Sequence, residues 1–152
     1  MTEKIVLVLV TTCLPLSELR GGLPLGLALG LDPVFTLIIT VVANSLLFFP
    51  VLLILDLFYE RLFSRSTLFN SYLGYLRRRG KTWVDRHGVM GLTIFVAIPL
   101  PLTGAYTGTI LAWLLDMDRK RAFLSIGLGV ALAGVIVLLT ALGIVNVLKS
   151  FI

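Results

Sequence analysis

Charge is scarce in this chain: 14% of its 152 residues are charged, where an ordinary soluble domain carries roughly a quarter. No charged residue lies between Val34 and Leu55, and none between Ala122 and Leu148. Each run exceeds the roughly 20 residues that cross a bilayer, which excludes a soluble helical domain with a greasy core. Cysteine and histidine occur once each, as Cys13 and His87. That excludes an intramolecular disulfide, a transition-metal cluster and a nucleophilic triad. No nucleotide-binding loop is present either, so no cofactor, no metal and no enzymatic activity are expected. Without a partner, Cys13 reads as a small buried hydrophobe.

What the chain does contain is apolar: 58% of it is hydrophobic, with a mean hydropathy of +1.03. It reads as an integral membrane protein. Lys4 precedes the apolar run Ile5 to Leu14, but Pro15-Leu16-Ser17-Glu18-Leu19-Arg20 offers no small-residue cleavage site, so this segment is expected to stay in the mature protein rather than act as a signal peptide. The net charge of +5 does not indicate nucleic acid. Its basic residues flank the apolar spans, where Lys and Arg set topology and meet anionic head groups.

Two apolar stretches are interrupted by Gly/Pro clusters: Leu14-Pro15-Leu16-Ser17-Glu18-Leu19-Arg20-Gly21-Gly22-Leu23-Pro24, and Ala97-Ile98-Pro99-Leu100-Pro101-Leu102-Thr103-Gly104-Ala105-Tyr106-Thr107-Gly108. Each is followed by an unbroken apolar run, the order expected of inverted-repeat transporters. The reading is one all-α membrane domain over 1–152. It has a re-entrant helical hairpin at 5–31, a transmembrane helix at 34–57, a basic amphipathic interfacial segment at 58–87, a second hairpin at 88–115 and a transmembrane helix at 122–148. Asp32-Pro33 is a helix-start signal for the first span. The competing topology is a four-span bundle. Half-lengths favour hairpins, since Ile5 to Leu14 and Gly88 to Ile98 reach only about 15 Å of a roughly 30 Å core. Hairpins also place the middle segment and Arg119-Lys120-Arg121 on one face, opposite Lys4 and Lys149, as the positive-inside rule prefers.

Glu18 and Arg20 are the only charges inside an apolar segment, each costing about 2.5 to 3.5 kcal/mol at the centre of a membrane helix. They form either a local structural pair or a functional site. For function, irregular backbone at membrane depth is tolerated where it is buried or lines a cavity. A turn at Gly21-Gly22 would expose N–H groups beside Arg20, which suits an anion. Desolvation penalises a buried carboxylate, so Glu18 is the candidate proton relay. The second cluster offers the Thr103, Tyr106 and Thr107 hydroxyls and the backbone around Gly104 and Gly108, with Pro99 and Pro101 breaking the helix. Asn44 and Pro24 are supporting candidates, Asn44 as a helix-to-helix hydrogen bond or a cavity residue. Apolar spacing from Leu68 to Leu76 predicts either a surface helix in the basic segment, whose residues 61–86 would meet anionic lipid head groups, or a solvated linker whose charges only fix orientation.

Glu18 to Pro24, Asn44 with Pro50, and above all Phe95 to Gly108 resemble the small multidrug export protein family, over nearly the whole chain. That family is distantly similar to the DedA superfamily, which includes the VTT-domain scramblases. The resemblance implies two opposed re-entrant hairpins around a central site, with undecaprenyl-phosphate or phospholipid translocation in some relatives. Those relatives often carry an Arg in the second hairpin; this chain has none between Gly88 and Leu115.

The expectation is a small multi-pass transporter of a prokaryotic inner membrane, homo-oligomeric, with its basic middle segment cytoplasmic. It would move an anionic or amphipathic substrate, lipid-phosphate or drug-like and with proton coupling, through a midplane site. Arg20, Gly21 and Gly22 would hold the substrate, and Thr103, Gly104 and Tyr106 would close the site. The alternative is a non-transporting lipid-binding or structural membrane protein.

Overall fold

The computed structural model describes residues 1–59, 67–98 and 103–151. Among these the regular structure is helical throughout: α1 (Thr2–Cys13), α2 (Glu18–Ala28), α3 (Pro33–Leu46), α4 (Phe48–Phe58), α5 (Thr67–His87), α6 (Val89–Ala97), α7 (Ala105–Leu114) and α8 (Arg119–Phe151). Pro99 and Pro101, and Arg61 and Arg65 of the basic segment, lie outside the described residues.

Both expected interruptions occur, and they begin in the same way. α1 stops where Leu14, extended at φ −74° and ψ 134°, precedes Pro15. α6 stops where Ile98, extended at φ −69° and ψ 120°, precedes Pro99. A proline ring clashes with a helical conformation in the residue before it. The last carbonyls of each helix are thereby left without their usual donors.

The expected irregular turn at Gly21-Gly22 is corrected: the first break runs through Leu14 to Ser17, and Gly21, Gly22 and Pro24 all lie inside α2. Gly22 is needed for close approach, because a Cβ there would strike the Thr12 hydroxyl of α1. Further along, Gly26 faces Val8, and Lys4 Nζ donates to the Leu29 carbonyl at 2.7 Å. α1 and α2 are therefore an antiparallel pair along their length. The second pair is looser. α6 and α7 meet beside their break, where Val96 lies against Gly108, and then α6 packs along α8 while α7 packs on α4.

Two helices are long and apolar enough to cross a membrane among the described residues, Pro33–Phe58 and Arg119–Ile144. Both start behind an aspartate cap, which satisfies amide donors of the first turn. Asp32 Oδ1 accepts from the Phe35 N–H at 2.8 Å, and Asp118 Oδ1 accepts from the Arg121 N–H at 3.0 Å. The first span is interrupted at Leu47, whose N–H bonds back to Asn44, near Pro50, which has no N–H to offer Leu46.

The first span is inside out by the standards of a soluble helix. Thr36, Thr40, Asn44 and Phe48 form its buried side, while Val34, Ile38, Val42, Phe49, Leu53 and Leu57 are exposed. The buried hydroxyls are satisfied within the helix: Thr36 donates to Asp32 and Thr40 to Thr36, each at 2.7 Å. Such small polar residues at helix contacts, with an apolar outer face, belong in lipid. The chain is a membrane protein.

α5 forms as the spacing predicts, with a different use of its apolar face. Leu73 and Leu76 are buried, Leu76 within the core beside Leu92 and Phe95, so that face packs on the protein. Leu68 is 87% exposed, and Arg77 and Arg78 are exposed as well. Cys13, read as a buried hydrophobe, is exposed at the end of α1.

Candidate functional site

The two breaks face each other, and Glu18 and Arg20 are the residues that join them. Glu18 opens α2 with φ 47°, a region that non-glycine residues rarely adopt. Its side chain is buried. One carboxylate oxygen accepts from the Ala105 N–H and the other from the Tyr106 N–H, both at 3.3 Å. These are the first two amides of α7, which have no partners within their own helix. The Asn44 side chain lies beside the same carboxylate, lining a small void with it.

Arg20 goes to the other side of the break. Its Nη2 donates to the Ile98 carbonyl at 3.1 Å, to the Thr103 carbonyl, and to Thr103 Oγ1 at 2.9 Å. Thr103 Oγ1 itself donates to the Ile98 carbonyl at 2.6 Å. The guanidinium thus serves the carbonyl end left by α6, and the carboxylate serves the amide end of α7. Each charge meets the helix terminus of opposite partial charge. Residues two apart on a helix do not face one another, and here they need not, since they address two different helix ends.

The service is returned. Tyr106 donates its hydroxyl to the Cys13 carbonyl at 2.5 Å, the last residue of α1. Gly104 makes this approach possible: a Cβ there would overlap the Glu18 carboxylate. Beside the contact lies a cleft of about 560 Å³, lined by Pro15, Ser17, Glu18, Arg20, Tyr72, Thr103, Tyr106 and Thr107 among others. Tyr72 reaches it from α5. Burial, with the Glu18 charge adding to it, pushes the Tyr72 phenol above its usual range, so it remains a neutral hydrogen-bond donor. A much smaller void of about 10 Å³ lies beneath, bounded by Glu18, Asn44, Gly104, Val96, Val130 and Ala133.

The structure therefore brings together Glu18, Arg20, Thr103, Gly104, Tyr106 and Asn44. It does not bring Gly21, Gly22 or Pro24 to the cleft lining. The Gly21 amide bonds to the Ser17 carbonyl at 3.0 Å, and Gly22 faces α1. The Thr107 hydroxyl, expected from the second cluster, also reaches the cleft lining, whereas sequence reasoning missed Ser17 and Tyr72. Ser17 could have been found as a polar residue flanking the first break, whereas Tyr72 arrives by tertiary packing and has no local signal.

The sequence model of a family described as "Putative small multi-drug export protein" matches residues 18–136. The match begins at Glu18 and includes Arg20, Asn44 and the described part of the second break. No curated protein and no solved structure matches this chain.

Proposed function

Because the chain belongs to the small multi-drug export protein family, we propose that it is a transporter whose substrate enters the cleft where the two breaks meet. The observation that carries the reading is the contact of Glu18 and Arg20 with the ends of α6 and α7. A buried charge inside an apolar shell is costly and marks a transport pathway more often than a scaffold.

In this reading Arg20 is the anion subsite. A phosphate or carboxylate entering the cleft competes with the Ile98 and Thr103 carbonyls for the guanidinium, and an ionised acceptor is the stronger partner. Glu18 relays protons. Taking up a proton weakens its hold on the Ala105 and Tyr106 amides, because hydrogen bonds to a charged group are about twice as strong as neutral ones. Each event releases one end of the broken helix, and Thr103, Gly104 and Tyr106 close the site again. Since the amides of α2 are engaged in its helix, Gly21 and Gly22 contribute by holding α2 against α1.

Helix length supports re-entrant hairpins. α1, α2, α6 and α7 have 12, 11, 9 and 10 residues, or at most about 18 Å each, against a core of roughly 30 Å. The basic segment, with Arg77 and Arg78 exposed on α5, would then face cytoplasmic anionic lipid. Lipid-phosphate or drug-like amphiphiles, a homo-oligomer, a prokaryotic inner membrane and a distant DedA likeness complete the proposal.

The test is flux in proteoliposomes with two probes, a fluorescent lipid phosphate and an amphipathic anionic dye. Arg20→Ala is expected to slow flux of the transported probe more than tenfold, and Glu18→Gln to abolish its response to a proton gradient. Unchanged flux in both variants removes these residues from the mechanism. A second reading, a lipid-organising protein that transports nothing, is favoured by how fully Glu18 and Arg20 serve as helix caps. It predicts no flux in the wild type, and loss of binding to anionic vesicles when Arg77 and Arg78 are changed to Gln.

A further inference from the structure

Asn44 holds the single buried side-chain polar atom that has no hydrogen-bond partner among the described residues, its Oδ1. The residue is 2% exposed, on the buried side of α3. Native proteins seldom leave such an atom unpaired, and the other buried polar side chains of this span, Thr36 and Thr40, satisfy themselves on their own helix. The amide instead shares a small void with Glu18, near enough to favour its ionised carboxylate. The void beside it is otherwise bounded by Val96, Val130, Ala133, Gly104, Leu19 and Arg20, and it is only about 10 Å³, the lower limit for one water.

An amide is a donor at one end and an acceptor at the other, with nearly the same shape after a half turn. Towards an ionised carboxylate it must present nitrogen. Towards a protonated carboxyl it can present oxygen, which then accepts from the acid O–H. The orphaned oxygen is thus the unused half of a partner suited to both protonation states of Glu18. We infer that Asn44 is the positioning residue that sets when Glu18 exchanges its proton, holding the ionised form through its N–H and turning to receive the neutral form. This inference rests on the reading of Glu18 as a proton relay.

The other groups that face Glu18 are Arg20 on its own helix, Tyr72 on α5 and Tyr106 on α7. α6 and α8 present only the apolar Val96, Val130 and Ala133 beside it. Arg20 favours the ionised carboxylate through its charge, and the α7 amides do so through hydrogen bonds. Asn44 differs from both in being able to meet either state, a property it shares with the Tyr72 hydroxyl.

The chain has glutamates at 3, 18 and 60 only, so ¹³C-glutamate labelling of the full-length protein in lipid bilayers resolves Glu18 by NMR, with Glu18→Gln assigning the signal. Because the hydrogen bond to the ionised carboxylate is the stronger of the two, Asn44→Leu is expected to raise the midpoint of the Glu18 titration by about one pH unit, and Asn44→Thr, which keeps one hydroxyl donor, by less. A purely structural Asn44 would lower thermal stability in both variants and leave the midpoint where it was. A titrating wild type with an unmoved midpoint in a folded Asn44→Thr overturns the role of Asn44 and spares the relay. A Glu18 that does not titrate in the wild type overturns both.

Discussion

At Gly104 the missing side chain is what lets the Glu18 carboxylate reach the first amides of α7. Gly104→Ala is expected to destabilise the protein by about 1–3 kcal/mol through overpacking, read as thermal unfolding in detergent. The same substitution in a Glu18→Ala background should cost less than about 0.5 kcal/mol, because the obstacle is gone and the two changes are not independent. Full additivity would show that Gly104 is there for another reason. The candidate site was half legible at this scale. Glu18 and Arg20 stood out because ionised groups are so rare in apolar sequence, and Thr103, Gly104 and Tyr106 because they follow a Pro-x-Pro. The partners each would choose were not legible, since Glu18 and Arg20 bond to residues 78 to 88 positions away. Glycine was the ambiguous letter: Gly104 accommodates the site, whereas Gly22 serves a helix contact that looks the same in sequence.

Among the elements, the stops and starts were the most readable parts. Residues before Pro15 and Pro99 end helices, and Asp32 and Asp118 begin them, because each effect is local and steric or electrostatic. The splaying of α6 from α7, and the docking of α5 by Leu73 and Leu76, depend on what lies opposite and left no comparable trace. One tertiary link at this scale joins the end of α4 to the start of α8. Asp56 accepts from Trp113 Nε1 and pairs with Arg119, both at 3.0 Å, while Tyr59 packs edge-on to the Trp113 ring at 4.7 Å. Asp56 is 33% and Arg119 73% exposed, so Asp56→Asn, which keeps an acceptor for Trp113, should cost no more than about 1 kcal/mol of stability. A larger fall in the unfolding temperature would mean that the pair organises the α7–α8 turn rather than decorating it.

For the molecule as a whole, the two topologies differ in which side of the membrane each connection faces. Cysteines placed at Asp118 and Tyr75 in a Cys13→Ser background are expected to react with a membrane-impermeant reagent from the same face, as opposed hairpins require. Labelling from opposite faces would favour four crossings. Either topology must accommodate the way the two breaks complete each other. Glu18 and Arg20 leave the ribosome about 80 to 90 residues before the helix ends that receive them, an interval of several seconds at about 5–20 residues per second. During that interval two opposite charges and the open end of α1 sit in a half-built protein without the helix ends that they meet in the finished fold. Biogenesis of this chain therefore has a committed late step, the arrival of residues 103 to 106, and a nascent chain stalled before it would display to membrane proteases the very charges that the finished protein conceals.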